Sequence, residues 1–422
     1  MALVIAAEAE ATQQEMRRAG PRELESALAA GRAALLALFE AFERALGPEG
    51  LRIAIDPVLN LPLWELGHIG WFEEHWLARN PQRALGSRAD PQVSRAPSSR
   101  LDADALYDSS AVAHAHRWQL RLPAPHETRA YLASVRESSV ALLRASDATD
   151  DALYFFRLVL FHEAMHYEAW HFMAQRLGVD LGPAALGRSP KASSVSGEWS
   201  VTAGRRELGS REDAGFAFDN ELQLSECDVD AFRVDRAPVV WREFIPFMES
   251  GGYGDEAFWS PAGRVWLMSE RRQHPLHLRR TRDGWQQQRF GAWAALEETA
   301  PVLHVNAHEA DAWCRWAGRR LPTEIEWETA ARLAAELGEP FAWGEVWEWT
   351  SSPFTPYPGF APHPYREYSQ PWFDGRPVLR GGSFATAPHM KNLRFRNFFE
   401  AGRSDLFAGF RSCAAGPGRS AV

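Results

Sequence analysis

A helical bundle followed by a loop-rich α+β domain is the fold the sequence predicts, and three observations predict it. Apolar residues recur at helical spacing in four segments before residue 178. A Gly/Pro/Ser-rich stretch, "LGPAALGRSPKASSVSGEWSV", comes next. Beyond it, short apolar pieces alternate with turns such as "SGGYGD", "TRDGW" and "RGGSF".

The elements follow in order. Residues 21–48 form the first predicted helix, rich in Ala and Leu. Residues 61–80 form the second, with Pro62 near its start. Residues 81–123 carry many Pro, Ser, Arg and Asp and read as a long connection with short helical pieces. A third helix covers 126–146, and a fourth covers 149–177 with Gly178 as its C-cap. Four helices with long crossovers predict a bundle over 1–178. A linker at 179–198 then leads into the second domain, 199–422. Its clearest helices are 307–318 and 323–337, the latter with Thr323 as a cap by itself.

Composition excludes several classes of function. The chain has 422 residues and a formal net charge of −9, with no basic run, which argues against nucleic-acid binding. Cys227, Cys314 and Cys413 are sparse and widely spaced, the pattern of a reducing cytoplasm rather than a disulfide scaffold. The start, "MALVIAAEAEATQQEMRRAG", lacks the basic residues that open a signal peptide, so none is expected. No apolar run is long enough to cross a bilayer, so no membrane partner is expected either.

The chemistry concentrates in "LVLFHEAMHYEAW", residues 158–170. His162 and His166 are four apart, about 40° from each other on one helix face, and can share a metal. The string is also H-E-x-x-H, the pattern of zinc proteases, in which Glu163 would be the base. Neither common protease completion is present nearby. The next histidine, His171, is turned about 180° from His162. His68, in the aromatic helix "LWELGHIGWF", is the better third ligand, because bundles build metal sites from facing helices. It can equally be read as a satisfied core histidine. The HxxxH pair shifts the balance toward a ligand.

"WELGHIGWF" and "FHEAMHYEA" together resemble the DinB-like bundle of the ergothioneine sulfoxide synthases. The second half resembles their formylglycine-generating-enzyme-like (C-type-lectin-like) domain, through "FDNE", "GGYGDEAFWSPAG", "RRLPTEIEWETAA", "EVWEWTSSPFTPYPGF", "VLRGGSFAT", "RFRNFF" and "GFR". The resemblance implies a non-haem iron(II) held by His68, His162 and His166, with dioxygen as co-substrate. It implies hercynine (trimethylhistidine) as the small-molecule substrate. It places Asn397 near the substrate's ammonium end and Trp349, Phe398 and Phe399 as aromatic walls, faces that suit a quaternary ammonium. Met165 and Arg403 join them as binding residues, and Tyr357 is the candidate proton donor. Arg320 and Glu324 read as structural.

Departures from the family bear on the second substrate. The glutamylcysteine-using members carry Gln where this chain has Met165 and an acid where it has Phe399. Their paired tyrosines become Ser109 and Ser110, and their donor-gripping arginines thin to Arg117 and Arg121. Burying unpaired carboxylates is costly, so a less charged donor is expected. That pattern looks like the selenoneine synthases, which join a selenosugar to hercynine through a C–Se bond. The alternative is C–S bond formation with a cysteine or glutamylcysteine donor. From other classes, a zinc-dependent hydrolase built on HEAMH and a non-catalytic binding protein of the same fold stay open.

Overall fold

The computed structural model describes residues 16–187 and 189–415. Residues 1–15, Arg188 of the linker and residues 416–422 lie outside the described residues, so the reading of the opening stretch as free of a signal peptide falls largely on residues not described.

The first half is a bundle of α1 (Pro21–Gly50), α2 (Pro62–Trp76), α4 (Pro125–Arg144) and α5 (Asp150–Leu177), with the short α3 (Ala103–Tyr107) in the long connection. These are the four helices expected, with ends shifted by no more than four residues. Helix α2 is buried on nearly every face, its glutamates included, the behaviour of a central rather than a surface helix. Pro62 stands at its first turn, where a missing N–H costs nothing. Helix α5 starts at the Thr149 cap, whose hydroxyl accepts from the Ala152 amide, and ends at Gly178, left-handed at φ 71°.

Two glycines set how closely α2 is packed. A methyl group on Gly67 would come within 2.2 Å of the Tyr107 ring, and one on Gly70 within 2.7 Å of Leu132. Here glycine serves close approach, not backbone freedom.

The second half holds two four-stranded sheets. One has the order β1 (Glu198–Val201), β4 (Phe232–Asp235), β13 (Cys413–Ala414), β8 (Arg319–Arg320). The other has the order β11 (Asn397–Phe398), β10 (Pro377–Arg380), β9 (Trp347–Pro353), β12 (Ala408–Gly409), with β12 and β9 parallel. A hairpin, β2 (Gly204–Leu208) with β3 (Ser225–Val229), and a meander of β5 (Leu278–Thr281), β6 (Gly284–Arg289) and β7 (Ala292–Ala295) complete the sheets. Helices α6 (Trp241–Glu249), α7 (Pro261–Glu270), α8 (Ala307–Trp316) and α9 (Glu324–Leu337) pack around them.

The cap of α9 corrects one expectation. Thr323 does not act alone: its hydroxyl accepts from the Glu326 amide, and Glu326 returns a bond from the Thr323 amide at 2.8 Å, a full capping box. Glu326 also pairs with Arg320 at 2.6 Å. The rest of "RLPTEIEWE" is equally structural. Glu324 holds the fully buried Arg396, Glu328 meets the buried Arg380, and Trp327 donates to Glu348.

The two halves share one continuous apolar core. Glu168 of α5 reaches into the second half, where Trp347, Ser383 and Thr386 all donate to its Oε1 at 2.5–2.8 Å. Burial pushes its carboxyl above the usual carboxylate range. Arg17 pairs with Glu221 at 2.7 Å, and Gln175 bonds the backbone of Gln288 and Phe290. This seam holds one face of α5 against the second domain.

Candidate metal centre

Helix α2 contributes His68, and α5 contributes His162 and His166. Their ligand atoms all lie within 4.8 Å of one another. His68 and His162 are 4% and 3% exposed, while the His166 side chain is 19% exposed and marks the open side.

Each ring is held by an identifiable neighbour. His68 donates from Nδ1 to the Tyr107 carbonyl at 2.8 Å and lies flat against Trp64, ring centroids 5.1 Å apart at 8°. His166 donates from Nδ1 to Glu65 Oε1 at 2.6 Å. His162 stacks on Phe72 at 3.5 Å and 3°. The Nδ1 protons of His68 and His166 are thus engaged outward, which leaves their Nε2 lone pairs pointing in. His162 Nε2 and His166 Nε2 stand 3.2 Å apart.

Protonation is a poor remedy for this crowding. Burial holds His68 down to about 3, with the His166 charge adding to it and the Tyr107 carbonyl opposing. Burial also holds His162 well below its ordinary value, with His166 and His68 adding to it. Neutral imidazoles with converging lone pairs are what a borderline first-row metal ion takes. Three protein ligands leave coordination positions open, as a reactive rather than a structural site requires.

Glu163 is not at this centre. It lies in a buried cluster of two acids and two arginines. Arg32 and Arg136 both bond its Oε2, at 2.7 and 2.8 Å, and both also hold Glu73. The cluster ties α1, α2, α4 and α5 together. A carboxylate clamped by two guanidinium groups cannot serve as the base the protease pattern needs.

The other residues singled out from the sequence divide into two groups. Asn397 and Phe398 form β11 and connect to the histidines through rings: Phe398 to Tyr368 at 5.8 Å, Tyr368 to Tyr365 at 5.8 Å, and Tyr365 to His162 at 6.2 Å. Met165 is half-buried on α5 beside His166. Phe399 is half-buried under the Arg403 guanidinium, which Asp405 grips at 2.6 and 2.7 Å.

Two residues sit elsewhere. Trp349 is fully buried and donates its indole N–H to the Val305 carbonyl, a core position and not a pocket wall. Tyr357 is buried against the Arg396 guanidinium, 3.9 Å over its ring, and donates to Glu324. Tyr365 is the tyrosine that meets the histidine site.

Sequence reasoning missed Glu65, Trp64, Phe72, Tyr107 and Tyr365. None left a local signal: Glu65 stands three residues before His68 on one helix, yet it holds His166 of α5. Arg117 gained a definite place. Its guanidinium lies 3.9 Å over Trp64, on the wall behind His68, and Asn60 and the Val112 carbonyl hold it. Burial lowers it to about 10, so it stays charged at neutral pH. Arg121, Ser109 and Ser110 are exposed.

Fold and site together define a class. Residues 27–169 match the DinB superfamily, and 183–345 with 342–415 match the sulfatase-modifying factor enzyme 1-like domain. The chain is a two-domain protein of DinB and formylglycine-generating-enzyme-like parts with a buried three-histidine centre. It is similar to the hercynine oxygenase of Mycolicibacterium thermoresistibile, 33% identical over 414 residues, covering 86% of this chain and 89% of the relative. It is 32% identical to the hercynine oxygenase of Mycobacterium tuberculosis over 438 residues, covering 93% and 98%. The formylglycine-generating enzyme of Streptomyces coelicolor is 30% identical over 175 residues, covering 39% of this chain and 54% of that enzyme. The chain belongs to the hercynine oxygenase family and is an enzyme, an oxidoreductase. No helix among the described residues is long and apolar enough to cross a membrane.

Proposed function

We propose that this protein is an iron(II)- and dioxygen-dependent hercynine oxygenase, which joins a thiol donor such as cysteine or glutamylcysteine to the imidazole of hercynine and leaves a sulfoxide. The observation that carries the reading is the histidine centre, with the Nε2 atoms of His162 and His166 3.2 Å apart and the outer nitrogens of His68 and His166 already engaged. His68, His162 and His166 would hold the iron, which supplies dioxygen activation when bound.

The protein's own groups do the rest. Glu65 and the Tyr107 carbonyl fix ring orientation and make the imidazoles better donors. Phe72, Trp64 and Tyr365 keep water from the inner side. Tyr365 holds its phenolic proton across neutral pH, because burial raises its pKa, and with its ring 6.2 Å from that of His162 it would be the proton donor. Asn397 and Phe398 would receive hercynine, and Arg117 would offer one charge to a donor carboxylate.

A selenosugar donor is the second reading. The observation that favours it is the exposure of Arg121, which leaves Arg117 as the one arginine of the 107–123 stretch placed at the site. The test loads protein with Fe(II) without oxygen and compares kcat/KM for hercynine with cysteine, glutamylcysteine and a selenosugar, products being read by mass spectrometry. A thiol donor should lead. A dominant selenosugar rate replaces the C–S reading with C–Se chemistry. No consumption of hercynine with any donor removes both.

A further inference from the structure

Away from the triad, a second histidine pair has the ring spacing and tilt of two of its members. His277 immediately precedes β5, and His304 lies in the segment before α8. Their rings are 4.7 Å apart at 63°, and the His162 and His166 rings are 4.5 Å apart at 63°. Each ring is pinned through Nδ1: His277 donates to Gln288 Oε1 and His304 to the Ser404 carbonyl, both at 3.2 Å. Both partners are acceptors, so the Nδ1 atoms carry the protons and the Nε2 atoms carry lone pairs. Both Nε2 atoms are buried and have no hydrogen-bond partner among the described residues.

The backbone adds a second observation. His277 and His304 are both left-handed, at φ 62° and 64°, a conformation that histidine adopts at a cost. Two such residues facing each other, with both lone pairs buried and unsatisfied, is an arrangement that packing alone does not explain. His304 is fully buried and His277 half-buried, so the His277 side of the pair lies nearer solvent.

Protonation does not resolve the pair. Burial lowers His277, with Arg272 and Arg176 adding to it and Gln288 and Asp405 opposing. Burial holds His304 well down, with His277 and Arg289 adding to it and the backbone carbonyls of Ser404 and Leu406 opposing. A metal ion differs from a proton in using both lone pairs at once.

We propose that His277 and His304 form a second metal site, taking one divalent first-row ion through their Nε2 atoms, with water completing its coordination from the His277 side. Asp405 is the acid whose field reaches His277, and the nearby arginines oppose a cation. The site is therefore weaker than the triad and fills after it.

The test is a Co(II) titration of metal-free, full-length protein, followed by visible absorption and equilibrium dialysis. Wild-type protein should take up a second equivalent after the first. His277→Asn and His304→Asn should each lose only that second equivalent, since Asn tolerates left-handed backbone and removes the imidazole. His162→Ala should lose the first equivalent and keep the second. Saturation of wild-type protein at a single equivalent overturns the proposal and leaves a water molecule bridging the two nitrogens. So does a second equivalent that survives in both Asn variants. The wild-type stoichiometry needs no variant, and circular dichroism confirms that the Asn variants are folded.

Discussion

Glu163→Gln separates the two meanings of the HEAMH string. In the structure the Glu163 carboxylate takes bonds from Arg32 Nε at 3.1 Å, Arg32 Nη2 at 2.7 Å and Arg136 Nη2 at 2.8 Å. Glu73 is the only other acid in the cluster. Removing one charge leaves two buried guanidinium groups facing a single carboxylate. Breaking a buried pair in this way costs about 3–5 kcal/mol. At about 2–4 °C per kcal/mol for a domain of the bundle's size, Tm should fall by about 6–20 °C. Turnover per folded, metal-loaded chain should be unchanged, because the carboxylate does not reach the histidine centre. The assay pairs thermal and urea denaturation with kcat measured well below the new Tm. A general base is worth about 10²–10⁴-fold. A rate loss of that size with stability intact would falsify the structural role and restore Glu163 to the chemistry.

Glu65→Gln should weaken metal binding at the triad about 10–100-fold, or about 1.4–2.7 kcal/mol, because the charged acceptor for His166 Nδ1 is lost. Competitive Co(II) titration measures this, and unchanged affinity counts against the role given to Glu65. Gly67→Ala gains about 1 kcal/mol of helix propensity but drives a methyl group to within 2.2 Å of the buried Tyr107 ring. Overpacking costs about 1–3 kcal/mol and displaces the carbonyl that holds His68, so both stability and metal affinity should fall. Equal or higher Tm would contradict it. Asp219 supplies a pH test. Burial raises it from 3.8 to about 6, so the folded chain binds the proton more tightly than the unfolded one. Its contribution to stability is present below about pH 4 and is lost as pH rises through about 6. The shift of about two units is worth about 3 kcal/mol. Asp219→Asn should lack this loss, and urea midpoints of the two proteins from pH 4 to 7 should diverge as pH rises. Parallel midpoints would show that the carboxyl titrates normally.

The helices were legible because periodicity, caps and glycine stops are local. Gly178 ends α5 where its chemistry said it would. The pair His162 and His166 was legible for the same reason, since one helix fixes their spacing. His68 became a candidate only through its aromatic helix and the family resemblance, and the fold then brought it within reach across the bundle. Tyr357 and Trp349 show the opposite case. An aromatic residue has the same appearance in sequence whether it walls a pocket or fills a core, and both of these fill a core.

By itself, the sequence determined the two-part architecture, the helices to within a few residues and the histidine pair on one helix face, because each depends on residues a few positions apart. Tertiary structure alone decided what Glu163 does, which tyrosine meets the histidines, and that Arg117 lies behind His68. It also brought His277 and His304 together. These facts rest on contacts between residues tens to hundreds of positions apart, and no local spacing carries them. Charge pairing in a dry interior then assigns the roles: the same glutamate that reads as a base in HEAMH becomes a structural anion once two arginines are folded against it.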